Sequence, residues 1–236
     1  MKPDIPMALL LNIDTATSFA SVGFSRDGII LSMKVNEAQK EHAAFLQPAI
    51  ESLTRELSIG LEEVDGIALT IGPGSYTGLR VGLSSAKGIA YALDKPLIAI
   101  GTLEVMAYAA EKEWARLAIG DDEDRSPLFC PMIDARRNEV FTAIYAPGGV
   151  ILREPGPMIL SEYDFEPFIE NNVVVFSGDG SIKWKLAYPH SAARFLLVQH
   201  SVVDLAVIAE KHFRIGDFGA LAYLQPLYLK EFHKNS

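Results

Sequence analysis

The chain reads the same order of elements twice, and few architectures satisfy that order. In the first half, strand-like runs at 8 to 13 and 19 to 24 flank a polar connection, Asp14-Thr15-Ala16-Thr17-Ser18. A third run, Ile29 to Val35, follows Asp27-Gly28, the signal for a two-residue hairpin turn. Apolar residues at helical spacing, Leu46, Ala49, Ile50, Leu53 and Leu57, predict an amphipathic helix from His42 to Leu57, with Pro48 kinking its first half. A buried strand, Gly66 to Ile71, leads into a glycine loop, Gly72-Pro73-Gly74-Ser75, and a helix to about Leu93. A strand from Pro96 to Ile100 and a helix from Leu103 to about Ala118 close the unit, and Gly120-Asp121-Asp122-Glu123-Asp124 reads as an acidic surface loop.

The second half repeats the order more loosely. Strands are expected at 128 to 133, 139 to 145 and 150 to 154, with Pro147-Gly148-Gly149 as a hairpin turn. A helix near 162 to 170, a strand from Val173 to Phe176, a short helix, a strand from Phe195 to Val198 and a helix from Val202 to Phe213 follow. Asp134 then takes the place of Asp14, and Gly178-Asp179-Gly180-Ser181 that of Gly72-Pro73-Gly74-Ser75. The expected fold class is α/β, a duplicated mixed β-sheet flanked by helices. Two such lobes resemble the ASKHA superfamily, with its actin-like, RNase H-like fold. The lobes are expected at 1–106 and 107–236, with the last helix packing back on the first.

At 236 residues, 49% of them apolar, the chain can fill such cores without covalent staples. Its single cysteine, Cys130, lies in an apolar run and reads as buried and inert, so a reducing, cytoplasmic setting is expected. Met1 to Pro6 lack the basic start of a signal peptide, and the run from Met7 to Ile13 is too short to span a membrane. With a formal charge of −9 and no stripe of Lys and Arg, tight nucleic-acid binding by this chain alone is not expected.

In open α/β sheets, ligands sit beyond the carboxyl ends of the parallel strands, which gathers Asp14, Thr15, Gly72, Gly74, Ser75 and Gly101-Thr102 along one edge. Asp14-Thr15-Ala16-Thr17 resembles the phosphate turn of actin-like ATPases, with Ala16 where those enzymes commonly carry glycine. The glycine loop is no Walker motif, because no Gly-Lys-Ser/Thr follows. Asp134 and Arg136, in Asp134-Ala135-Arg136-Arg137-Asn138-Glu139-Val140, form a second anion or nucleotide candidate, against the plainer reading of a salt-bridged turn. Asp14 and Arg136 are both expected at polar loop positions outside the core. No His-x-x-x-His or Cys-x-x-Cys offers a metal site, and no Gly-x-Ser-x-Gly elbow supports a serine hydrolase.

Gly78, Gly82, Ala86 and Ala90 form a small-residue ridge on the helix after the glycine loop. Leu79, Leu83 and Ile89 make its flanks apolar too. Either the helix is fully interior, or its second apolar side meets a partner protein. The partner reading assigns a contact surface to His42, Leu46, Ile50, Leu53, Tyr76, Leu79, Gly82, Leu83, Ala86 and Ile89.

Gly72-Pro73-Gly74-Ser75-Tyr76-Thr77-Gly78-Leu79-Arg80-Val81-Gly82, continuing through Ser85-Ala86-Lys87-Gly88, resembles the signature of TsaB (YeaZ) proteins. Asp14 to Thr17, His42, Asp134 to Val140 and Pro226-Leu227-Tyr228-Leu229 fall where that family has them. The catalytic relative TsaD carries Asn-His-x-Glu-Gly-His after the corresponding strand, and its two histidines bind the metal. Here Thr102 and Met106 stand at those positions, and neither replaces imidazole. The resemblance implies a non-catalytic subunit that binds no metal or cofactor of its own. It implies a heterodimer with TsaD joined by the ATPase TsaE, with ATP and magnesium entering only in the complex. That assembly transfers threonylcarbamoyl, from an adenylate made by TsaC, to the tRNA adenosine beside the anticodon. It further implies contact with tRNA only through the complex, a homodimer through the same face when TsaD is absent, and no membrane association. The rival reading from Asp14 and the two lobes is a stand-alone ASKHA-type ATPase or phosphotransferase.

Overall fold

The strand runs pair into two five-stranded mixed sheets of one topology. The structure is a computed structural model describing residues 8–37, 41–117, 125–188, 190, 193–227 and 229. The acidic segment 120–124, the residues before Ala8 and Tyr228 of the Pro226–Leu229 run lie outside the described residues. In the first sheet β1 (Leu9–Asp14), β2 (Ala20–Arg26), β3 (Ile29–Asn36), β4 (Gly66–Thr70) and β5 (Leu97–Ile100) lie in the order β3-β2-β1-β4-β5. In the second, β6 (Pro127–Asp134), β7 (Glu139–Ala146), β8 (Val150–Ile159), β9 (Val173–Ser177) and β10 (Ala193–Leu196) lie in the order β8-β7-β6-β9-β10. Each sheet is thus an antiparallel meander of three strands extended by two parallel ones. This is the duplicated α/β architecture of the ASKHA type.

Six α-helices accompany the strands among the described residues: α1 (His42–Leu57), α2 (Tyr76–Leu93), α3 (Thr102–Leu117), α4 (Glu166–Ile169), α5 (Ser181–Ala187) and α6 (Val202–Ile215). The chain divides into two compact units. One holds the described residues up to Val105 together with Ser201–Leu227, and the other holds the described residues of Met106–His200 with Leu229.

Period-two alternation gives the first sheet two different faces. Leu9, Leu11, Ile13, Val22, Phe24, Ile67 and Leu69 point to one side, where they pack with Leu46, Ile50 and Leu53 of α1 and Leu83, Ala86 and Ala90 of α2. The opposite face is cut low for α6. Ser21 Oγ accepts the Val202 amide at 3.1 Å, a Cβ on Gly23 would lie 3.3 Å from Val202, and one on Gly66 would lie 3.4 Å from Phe213. α6 starts on a capping box, with Ser201 Oγ accepting the Val203 amide and Asp204 Oδ2 accepting that of Ser201, and it stops at left-handed Gly216.

Local signals account for most of the boundaries. Asp27 and Gly28 both take positive φ, as a primed hairpin turn requires. α1 runs unbroken through Pro48. β8 extends to Ile159, well past the expected end at 154, although it contains Pro155 and Pro157. Its place at the sheet edge explains this, since a proline lacking an amide proton costs nothing on the side without a neighbour. The second unit's core stacks Phe176 on Trp184 at 4.7 Å, with Phe165 edge-on to both.

Candidate functional site

The expected edge of the first unit forms, but its polar groups are committed to one another. Asp14 closes β1 with 1% of its surface exposed, so it belongs to the core and not to a polar loop. Its Oδ1 accepts the Thr70 hydroxyl at 2.7 Å and the Ala16 amide at 3.1 Å. Thr15 donates its hydroxyl to the Gly78 carbonyl at 2.7 Å, and the Ser75 amide donates to the Ala16 carbonyl at 2.6 Å. The glycine loop therefore rests directly on the turn after β1. Gly72 also bonds outward, its carbonyl accepting the Thr102 amide at 2.8 Å.

Three glycines make this approach possible. A Cβ on Gly74 would sit 2.1 Å from the Ala16 carbonyl oxygen, one on Gly78 2.1 Å from that of Thr15, and one on Gly82 2.4 Å from Thr15 Oγ1. The ridge of Gly78, Gly82, Ala86 and Ala90 consequently faces the chain's own sheet. Its opposite side, with Tyr76, Thr77, Arg80, Ser84, Gly88, Tyr91 and Ala92, is exposed, so α2 is not fully interior. Tyr91 is 81% exposed, and Arg80 lies over the Tyr76 ring at 3.9 Å.

This arrangement corrects the expected contact surface. Leu46, Ile50, Leu53, Leu79, Gly82, Leu83 and Ala86 are buried inside their own unit, and Ile89 is half-buried. Burial at helical spacing made them conspicuous in sequence, and the same burial removes them from any partner. His42 is also buried; its Nε2 donates to the Thr17 carbonyl at 3.0 Å and roots α1 on the turn after β1. Tyr76 alone of that set is exposed; on α1 the exposed residues include Ala43, Ala44, Gln47 and Glu51.

The second unit repeats the aspartate turn. Asp134 Oδ1 accepts the Arg136 amide at 2.6 Å, as Asp14 accepts that of Ala16 two residues on. Its other partner differs: Lys183 donates to Asp134 at 2.7 Å, and the pair is partly exposed. Burial alone would raise the Asp134 carboxyl; hydrogen bonds from Lys183 and the Arg136 amide, with the lysine charge, bring it below the usual carboxylate range. Thr70 and Lys183 were both invisible in sequence. Thr70 is foreseeable only once β4 is known to lie beside β1, and nothing local marks Lys183.

Thr102 and Met106 are both buried in the first two turns of α3. Among the described residues no group of three His, Cys, Asp or Glu is placed to hold a metal ion, and no helix is long and apolar enough to cross a membrane. Cys130 is fully buried, its sulfur 3.3 Å from Thr142 Oγ1, and burial pushes its thiol up to about 12.

The fold and sequence both have relatives. YeaZ from Pseudomonas aeruginosa superposes with a TM-score of 0.75 over 94% of this chain and all of that one, at 26% identity. The tRNA threonylcarbamoyladenosine biosynthesis protein TsaB of Bacillus subtilis is 32% identical over 136 residues, 58% of this chain and 54% of that protein. The protein of the same name from Haemophilus influenzae is 37% identical over 134 residues, 56% of this chain and 51% of that protein. The chain thus spans about half the length of these curated relatives. A model of the family described as TsaD: tRNA N6-adenosine threonylcarbamoyltransferase matches residues 34–195. The chain belongs to this TsaD family, on its TsaB (YeaZ) branch. The TsaB-like signature from Gly72 to Gly82 acquires a physical reason here. Gly74, Gly78 and Gly82 recur every four residues because each lies against Thr15 or Ala16, so the signature records packing on the turn after β1.

Proposed function

We propose that the chain is the non-catalytic partner subunit that binds and activates TsaD, with TsaE, in transferring threonylcarbamoyl to the tRNA adenosine beside the anticodon. The observation that carries this reading is the pair Thr102 and Met106. Both are buried, and both stand where the catalytic relative is expected to place its metal-binding histidines. A hydroxyl and a thioether cannot hold a hard cation in the way two imidazoles do. The exposed sides of α1 and α2 supply the docking face for TsaD, and for a second copy of the chain when TsaD is absent. ATP and magnesium belong to the assembled complex, because the Asp14 carboxylate and the amides of Ala16 and Ser75 already have partners within the fold.

Reconstitution tests the reading directly. The chain is mixed with TsaD, TsaE, tRNA, ATP and the threonylcarbamoyl adenylate, and modified tRNA is measured with each protein omitted in turn. Loss of product when this chain is left out, with no ATP turnover by the chain alone, is the expected result. Full modification without it, or ATP hydrolysis by the isolated chain, would return the reading to an independent ASKHA-type ATPase.

A further inference from the structure

The turn joining β6 to β7 holds two side chains that the proposed activity leaves unused. Arg136 and Arg137 both have positive φ, 71° and 49°. Left-handed backbone costs a residue bearing a Cβ, which is why Asn and Gly dominate such turns. Two arginines stand where local energetics favour neither. The turn is nevertheless firmly held: Lys183 Nζ donates to Asp134 Oδ1 and the Arg137 carbonyl, each at 2.7 Å, and to the Glu139 carbonyl at 3.2 Å. Asp179 Oδ1 accepts the Asp134 amide at 2.9 Å. These bonds engage the Asp134 and Asp179 carboxylates within the turn.

Both arginines are exposed, and among the described residues neither guanidinium has a carboxylate or other hydrogen-bonding partner. Three other exposed arginines are paired, Arg55 with Glu51, Arg116 with Glu113, and Arg214 with Asp27 and Glu210; Arg136 and Arg137 are set apart by being adjacent in one held turn. We propose that Arg136 and Arg137 are a phosphate-binding pair that grips the backbone of tRNA, an inference resting on the function proposed above. A guanidinium fork matches phosphate oxygens bidentately, and the rigid turn lowers the ordering cost of the contact. The adjacent Gly178–Gly180 loop offers no cradle for a nucleotide. A Cβ on Gly178 would lie 2.3 Å from the Met132 carbonyl oxygen and one on Gly180 3.0 Å from the Met132 side chain, so that loop is packed shut. With a charge of −9 the chain does not draw RNA from a distance, and the pair closes on phosphates only after the complex has brought the strand to it.

The test compares reconstituted complexes carrying the unsubstituted chain, R136Q/R137Q or R136N/R137G. The glutamine pair keeps the backbone strain and removes charge, whereas Asn-Gly also relieves the strain. Both variants should weaken tRNA binding by the complex and flatten the slope of log K against log salt by about 1.5, two phosphate contacts' worth. R136N/R137G should melt at an equal or higher temperature than the unsubstituted chain, so that weaker binding cannot be assigned to a damaged fold. Unchanged tRNA affinity and slope with R136Q/R137Q overturn the inference. It also fails if ATP or inorganic phosphate binds the isolated chain saturably through these arginines while the tRNA slope stays the same. An unsubstituted chain that supports no modification sinks the proposed function and this inference together; active complexes with identical salt slopes sink the inference alone.

Discussion

Thr70 donates its hydroxyl proton to the carboxylate of Asp14 at 2.7 Å, tying together the ends of the neighbouring parallel strands β4 and β1. The aspartate is buried and also receives the Ala16 amide. Asp14→Ala leaves two buried donors without an acceptor, a loss of about 1–3 kcal/mol. At about 2–4 °C per kcal/mol for a chain of this size, the melting temperature should fall by several degrees. Asp14→Asn, which keeps an acceptor, should fall between. A melting temperature unchanged in Asp14→Ala would remove this bond from the account of stability.

Gly82 and Gly88 lie on opposite sides of α2, and methylating each should have opposite signs. Gly82→Ala drives a Cβ to 2.4 Å from Thr15 Oγ1. Relief requires α2 to shift or the Thr15–Gly78 bond to break, a destabilisation of about 1–3 kcal/mol. Gly88 has no atom within 4 Å of its would-be Cβ, so Gly88→Ala should gain up to about 1 kcal/mol of helix propensity. Denaturant midpoints of the two variants decide the matter, and matching values would contradict the assignment of faces.

The docking face of α2 is tested from the outside. Ser84→Glu with Gly88→Glu introduces two carboxylates at exposed positions, and the circular dichroism spectrum should stay that of the unsubstituted chain. Desolvating those charges against a partner costs several kcal/mol, on the order of a thousandfold in affinity. Co-purification with TsaD and dimerisation of the chain alone should both be lost. Retention of both by the folded variant would move the interface off this helix.

Cys130 should resist alkylation in the native protein, because its thiol titrates near 12 and its sulfur has no exposed surface. Iodoacetamide labelling followed by mass spectrometry should find it unmodified until denaturant is added. Rapid native labelling would reveal an opening of the second unit's core that its packing does not suggest.

Glu104 provides a pH signature. Burial raises its carboxyl, while the charge and hydrogen bond of His212, and then Lys211, partly oppose the rise. A raised acid is harder to ionise folded than unfolded, so its contribution to stability is greatest at low pH. That contribution declines as pH climbs from the ordinary value of 4.5 through the raised one. Glu104→Gln lacks the step, and its melting temperature relative to the parent should rise across that window. A constant difference from pH 4 to pH 7 would rule the carboxyl out as the source.

The duplication is legible in sequence because each lobe announces itself twice, by strand alternation and by an aspartate and glycine loop at matching places. The direction of the small-residue ridge is not legible. A four-residue spacing defines a face of α2 but carries no information on whether its own sheet or another molecule lies opposite. The burial of Asp14 is illegible in sequence for a related reason. A carboxylate after a strand reads as loop chemistry until Thr70, 56 positions away in the chain, is seen to bury it. Lys183 acquires its importance wholly from the β6–β7 turn over which it lies, and no local pattern could have supplied that.

The first unit is assembled from the two ends of the described chain, with α6 covering the face of the first sheet that carries Ser21, Gly23 and Gly66. During synthesis that face leaves the ribosome roughly a hundred residues before α6 does, an interval on the order of 5–20 s at ordinary elongation rates. The second unit's sheet, whose strands run consecutively from Pro127 to Leu196, can be completed within that interval. Nascent chains should therefore gain protease resistance from the middle outward, and the amino-terminal sheet should be the part that waits for a chaperone.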